Sequence, residues 1–177
     1  MPWTTPKTWS SGETLTAANF NTHIRDNGDA TWHLIARKTT DESVTSSGVL
    51  QNDDQLLWSV AANEIWIARM YLLFTAATAG DINVSWGFPA SGVLYASAPG
   101  SLDAAGAVVS PLSKLTATDG TSINFFGDAP EKLFMEDVLY INAGNAGTVN
   151  MRWAQLNSNA TPTTVKANSC LFGMKLA

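Results

Sequence analysis

Beyond about Thr39 apolar and polar residues alternate with a period of two, and that spacing predicts β-strands. Residues 81–88 (DINVSWGF) place Ile82, Val84, Trp86 and Phe88 on one face and Asp81, Asn83 and Ser85 on the other, as in a half-buried antiparallel strand. Residues 148–156 (TVNMRWAQL) set Val149, Met151 and Trp153 against Asn150 and Arg152 in the same way. Residues 64–74 (EIWIARMYLLF) are richer in apolar side chains and read as a strand covered on both faces. In 163–176 (TTVKANSCLFGMKL) the apolar set starts with Val165 and Ala167 and then shifts to Cys170, Phe172, Met174 and Leu176, which predicts a bulge near Ser169.

Weaker strand patterns occur at 43–50, 54–60, 121–127 and 137–143. Turn residues separate the candidates at Asn52-Asp53, 79–81, Asp119-Gly120, Gly127-Asp128, Gly144-Asn145 and Thr161-Pro162. The Ala-, Gly- and Ser-rich stretch 91–114 reads as a long loop. About eight short strands without intervening helices predict an antiparallel β-sandwich of jelly-roll kind.

Helical spacing appears only near the start. Thr14 or Thr16 is placed to cap a helix whose face carries Ala17, Phe20 and Ile24, with Asn27-Gly28 as the stop. Trp32, Ile35 and Ala36 are spaced to extend the apolar stripe for another turn or two. So few apolar positions cannot support a helix alone, so it must lie on something. Before it, Pro2, Pro6 and Gly12 punctuate an extended arm bearing Trp3 and Trp9, whose indoles dock either on a neighbouring molecule or back on this chain's body. The expected organisation is an arm with one short helix over 1–36, for attachment and oligomerisation, and a β-sandwich body over 37–177.

Charge changes the picture by exclusion. Charged residues make up 14% of the 177, against about 25% in an ordinary domain. A net charge of −5 with scattered Lys and Arg disfavours nucleic acid and anionic membrane as partners. Cys170 is alone, which excludes an internal disulfide; in its apolar strand it reads as a small buried hydrophobe. No apolar run has the length of a membrane span, and the first residues lack the pattern of a signal peptide.

Candidate chemistry is sparse. The two histidines, His23 and His33, read as partly exposed residues, and no metal or cofactor is expected. Asp41-Glu42, Asp53-Asp54 and Glu136-Asp137 are adjacent pairs; neighbours on a strand point to opposite faces, so these read as solvated turn residues instead of acid/base pairs. Nucleophile-elbow, zinc-protease and phosphate-loop motifs are absent from the sequence, so no enzyme is expected. Of the seven tryptophans, Trp58, Trp66, Trp86 and Trp153 fall in strand patterns and read as core or subunit-interface residues. A sugar-stacking face built from Tyr95 and one of these indoles is the alternative.

The opening PKTWSSGETLTAANFNTHIRDN resembles the N-terminal segment of virion structural proteins of tailed bacteriophages. The matching positions are Trp9, Gly12, Glu13, Leu15, Thr16, Ala17, Ala18, Asn21, Arg25, Asp26 and Asn27. Residues 151–177 resemble the closing hairpin of the same proteins, with a W-A-Q strand, a Thr-rich turn and a final strand. The resemblance spans 22 residues at the start and 27 at the end. It implies a non-enzymatic virion protein, either a capsid decoration protein or short head fibre, or a minor tail or tail-fibre protein. A homo-oligomer, expected to be a trimer, would then contact other virion proteins through Trp3, Trp9, Leu15, Phe20, Ile24, Arg25 and Trp32. The alternative is a receptor-binding module for a host-surface glycan.

Overall fold

The structure is a computed structural model and describes residues 4–29, 31, 33–97, 101–102, 108–109, 112–116, 123–125 and 131–176. Among the described residues helix occupies only the start: α1 (Ala17–Phe20), a π-helical turn (Asn21–Arg25) and α2 (Asp26–Asp29). Thr16 is the cap, its hydroxyl accepting from the amide of Asn19 at 3.2 Å. Everything after it is strand and turn: β1 (His33–Arg37), β2 (Glu42–Val44), β3 (Gln51–Val60), β4 (Ile65–Thr75), β5 (Ile82–Gly87), β6 (Val93–Ser97), β7 (Ser101–Leu102), β8 (Val108–Val109), β9 (Leu112–Thr116), β10 (Ile123–Phe125), β11 (Lys132–Ile141), β12 (Gly147–Ala154), β13 (Thr163–Val165) and β14 (Cys170–Lys175).

Two antiparallel sheets pack face to face. The larger runs β1-β14-β4-β11-β6-β9, with β13 and β2 attached beside β4; the smaller runs β10-β5-β12-β3. Eight strands carry the chain between the sheets in the order β1, β3, β4, β5, β10, β11, β12, β14. Within the sheets these pair as β1-β14-β4-β11 and β3-β12-β5-β10, which is the interleaved double Greek key of a jelly roll. Strands β6 and β9 extend the β11 edge of the larger sheet.

The alternating segments supply the core. Ile82, Val84 and Trp86 of β5 and Val149, Met151 and Trp153 of β12 meet Ala68, Met70, Leu72 and Phe74 of β4 across the sandwich. Trp58 and Trp86 pack edge to face with ring centres 5.7 Å apart. Gly173 is where β14 comes closest to β4: a Cβ there would lie 2.5 Å from the Ile67 carbonyl oxygen.

Several expectations are overturned. Residues 33–37 form strand β1, paired with β14, and not a continuation of the helix. The pairing with β14 shifts register between Leu34 and Ala36, so these residues show no clean period of two in the sequence. The expected loop at 91–114 contains β6, whose Leu94 and Ala96 are fully buried. Small residues hid that alternation. Asn52-Asp53 is not a turn but lies within β3. The tail has a turn in place of a bulge: Asn168 takes a φ of 73°, and Ser169 is buried with its hydroxyl 2.8 Å from the Lys166 carbonyl, to which it donates.

That turn also sets which face of β14 is inside. Leu171 and Gly173 are buried, whereas Cys170, Phe172 and Met174 face outward and are half-buried. Cys170 is therefore not a core residue. The expected turns at Asp119-Gly120 and Gly127-Asp128 lie outside the described residues.

Candidate functional site

Among the described residues, the N-terminal segment, a carboxylate cluster around Lys38 and a polar groove on the smaller sheet carry chemistry beyond core packing.

The N-terminal segment folds on itself. Asn27, buried at the end of the helical run, clamps the arm: its Oδ1 accepts from the Thr4 amide at 2.9 Å, and its Nδ2 donates to the Thr4 carbonyl at 2.8 Å. Trp9 lies edge-on to His23 with ring centres 6.5 Å apart, and the Lys7 ammonium sits 5.1 Å above the indole. Lys7 also pairs with Glu13, and Arg25 with Asp26. Among the described residues, the hydrogen bonds of 4–29 stay within 4–31.

What this leaves outside is apolar. Trp9, Leu15, Phe20 and Ile24 are 39, 53, 46 and 48% exposed. Trp9 therefore takes neither expected course in full: it stacks on the segment's own histidine and keeps a free edge. Arg25 is exposed apart from its bond to Asp26. Trp3 and Trp32 lie outside the described residues.

The carboxylate cluster corrects the reading of the acidic pairs. The Lys38 ammonium has no accessible surface and binds Glu42 at 2.6 Å, Asp53 at 2.9 Å and Asp54 at 2.6 Å. Neighbours Asp53 and Asp54 reach one ammonium because β3 bulges there. Asp53 Oδ1 accepts from the amides of Gln55 and Leu56, and the pairing with β12 slips between Asn150 and Arg152. The bulge cancels the alternation that separates adjacent side chains. Residue spacing missed the cluster for that reason; the polar Asn-Asp-Asp-Gln run inside a strand was the available signal.

Burial alone would pull the Lys38 ammonium down. The hydrogen bonds it donates to Asp54, Glu42 and Asp53 outweigh that and hold the group above the ordinary lysine range. Burial raises Glu42, and the Lys38 bond lowers Asp54. The three carboxylates have oxygens within 4.8 Å of one another, a spacing that suits a cation. Here the lysine nitrogen already occupies that position, so the arrangement is an internal ion cluster tying β1 and β2 to β3. Neither His23 nor His33 belongs to it.

Glu136 is the other carboxylate misread as solvated. It is buried between the sheets and accepts from Trp86 Nε1 at 2.9 Å. Asp137 beside it points outward and holds Arg69 through two bonds of 2.6 and 2.9 Å.

The polar groove, about 780 Å³, lies on the outer side of the smaller sheet between Asn52, Phe88, Pro89, Asn150 and Arg152. Gly87 makes it possible: a Cβ there would sit 2.9 Å from Arg152 Cδ, so only glycine lets the arginine lie flat across β5. Arg152 Nε is buried with no hydrogen-bond partner among the described residues. The groove offers amide and guanidinium donors beside one aromatic ring, which suits sugar hydroxyls or a carboxylate. The indoles expected to stack on sugar are elsewhere: Trp58, Trp86 and Trp153 are buried, and Tyr95 lies on the larger sheet. Among the described residues no helix is long and apolar enough to cross a membrane.

No family model matches the chain. No curated protein matches it either. Among solved structures, it is similar to the tripod from the baseplate of bacteriophage Tuc2009, at 11% identity over 97% of this chain and 78% of that one. The TM-score is 0.33, too low for that likeness to support an argument about fold or role.

Proposed function

We propose that this chain is a non-enzymatic structural protein of a phage virion. Residues 1–36 hold it to the capsid, as in a decoration protein or short head fibre, and the sandwich is displayed as a knob. Its partners in this reading are other virion proteins and further copies of itself, as a trimer. The observation that carries the reading is the N-terminal segment: a helical run too short to be stable alone, with Leu15, Phe20 and Ile24 turned to solvent. Such a stripe needs a surface to lie on. The resemblance of the same residues to virion attachment segments supplies the class of partner. The converging carboxylates are all engaged by the Lys38 ammonium, which supports reading them as a structural ion cluster.

The test is deletion of residues 1–13 in an intact phage. The truncated body should fold and remain soluble while particles lose it; normal occupancy in purified particles would refute the attachment role. A second reading, a minor tail or tail-fibre protein whose knob binds a host-surface glycan, is favoured by the Arg152 groove. A glycan array with wild-type and Arg152→Ala protein separates the two, since only the second reading expects hits that the substitution removes.

A further inference from the structure

An antiparallel sheet with water on one side normally alternates, apolar inward and polar outward. The larger sheet here is apolar both ways. Its inward residues fill the core, and its outward positions on β14, β4 and β11 include Phe172, Ile67, Leu139, Leu133, Met135 and Ile141. The last three are 58, 40 and 39% exposed and lie on β11, Ile141 beside Val93 of β6 and Leu133 and Met135 beyond the stretch that β6 pairs. Contiguous apolar surface of this kind marks an interaction site.

The outward charges on those three strands are Arg69 and Asp137. They face each other in register across β4 and β11 and are joined by two hydrogen bonds. Each remains about half exposed, 43 and 45%.

We propose that a second copy of this chain docks on this face, the outward sides of the two larger sheets meeting around the Arg69–Asp137 pair. The charge pattern selects a copy over a foreign partner. A positive and a negative group lie side by side, so a half-turn sets each Arg69 against the Asp137 of the other copy. Each charge also keeps its partner in its own chain, so covering the pair strands no lone charge in a dry interface. The area agrees with a modest contact. The three strands at about 4.8 Å spacing and the nine residues from Leu133 to Ile141 at about 3.3 Å give a flat footprint on the order of 400 Å² per copy, the size of a weak or transient contact. A contact of this size is weak on its own and is strengthened wherever copies are held together on a larger assembly. The inference is a pairwise contact between copies, separate from the trimer of the proposed function; read on purified protein without particles, it stands or fails independently of attachment to a virion.

Sedimentation of the full chain over a concentration series, to roughly 100 µM, tests it. The wild type should self-associate, and Met135→Glu with Ile141→Glu should weaken association about 100-fold or more. Those two positions are already exposed, so circular dichroism and melting temperature should stay unchanged. Arg69→Asp and Asp137→Arg should each associate poorly alone and recover when mixed, a result that loss of an internal ion pair cannot produce. A wild type monomeric throughout the series overturns the proposal. So does an oligomer that survives the double glutamate substitution, or charge variants that fail to recover on mixing.

Discussion

Trp86 on the smaller sheet donates its indole N–H to Glu136 on the larger one at 2.9 Å, a hydrogen bond that spans the sandwich where both side chains are buried. Burial pushes the Glu136 carboxyl up to about 7, against the partial opposition of the Trp86 bond. The folded chain thus holds a proton that the unfolded chain releases near pH 4.5. Between those values the native state binds more protons, so stability falls as pH rises, by about 3 kcal/mol in all. Urea unfolding at intervals from pH 4.5 to 8 should show that fall, and Glu136→Gln should flatten it while keeping an acceptor for Trp86.

Removing Lys38 should be costly. Lys38→Met leaves buried Asp53 facing Glu42 and Asp54 without the ammonium, a loss of about 3 kcal/mol or more at neutral pH. The penalty should shrink on acidification, because protonated carboxyls no longer repel one another. Thermal melts of the wild type and the variant at pH 7 and pH 4 provide the check.

Gly173→Ala tests the closest approach of β14 to β4. The new Cβ would meet the Ile67 carbonyl oxygen at 2.5 Å and Ile35 Cδ1 at 2.6 Å. A carbonyl in a central strand cannot move aside cheaply, so the variant should lose about 2 kcal/mol or more. Chemical denaturation gives the value directly.

The exposed stripe near the start should separate stability from assembly. Phe20→Ser with Ile24→Ser removes apolar side chains that already face solvent, so unfolding of the purified chain should change by less than about 0.5 kcal/mol. Incorporation into particles should fall sharply if this stripe is the docking element, and occupancy measured by quantitative gel or mass spectrometry reports it.

How far the chain was legible depends on whether local geometry or the opposite sheet set the outcome. In β5 and β12 the strict alternation of large apolar residues named the buried face correctly, because no other face could fill the core. In β14 both faces are apolar, and spacing chose the wrong one: Cys170, Phe172 and Met174 turned outward while Leu171 and a glycine went in. The irregularity at Asp53 misled in a different way: β3 passes five positions, from Leu57 to Asn52, while β12 passes two, and that odd excess reverses the side-chain directions that the acidic-pair reading assumed.

The amino-acid order by itself determined the antiparallel sandwich, the short capped helix at Thr16 and most of its boundaries, because backbone period and turn chemistry act within a few residues. Only the tertiary structure decided that Lys38 would gather three carboxylates, that Glu136 would lie between the sheets, and that the larger sheet would carry an apolar outer face. Those outcomes depend on which distant strands become neighbours, and pairing across the sheet is chosen by how the whole core closes.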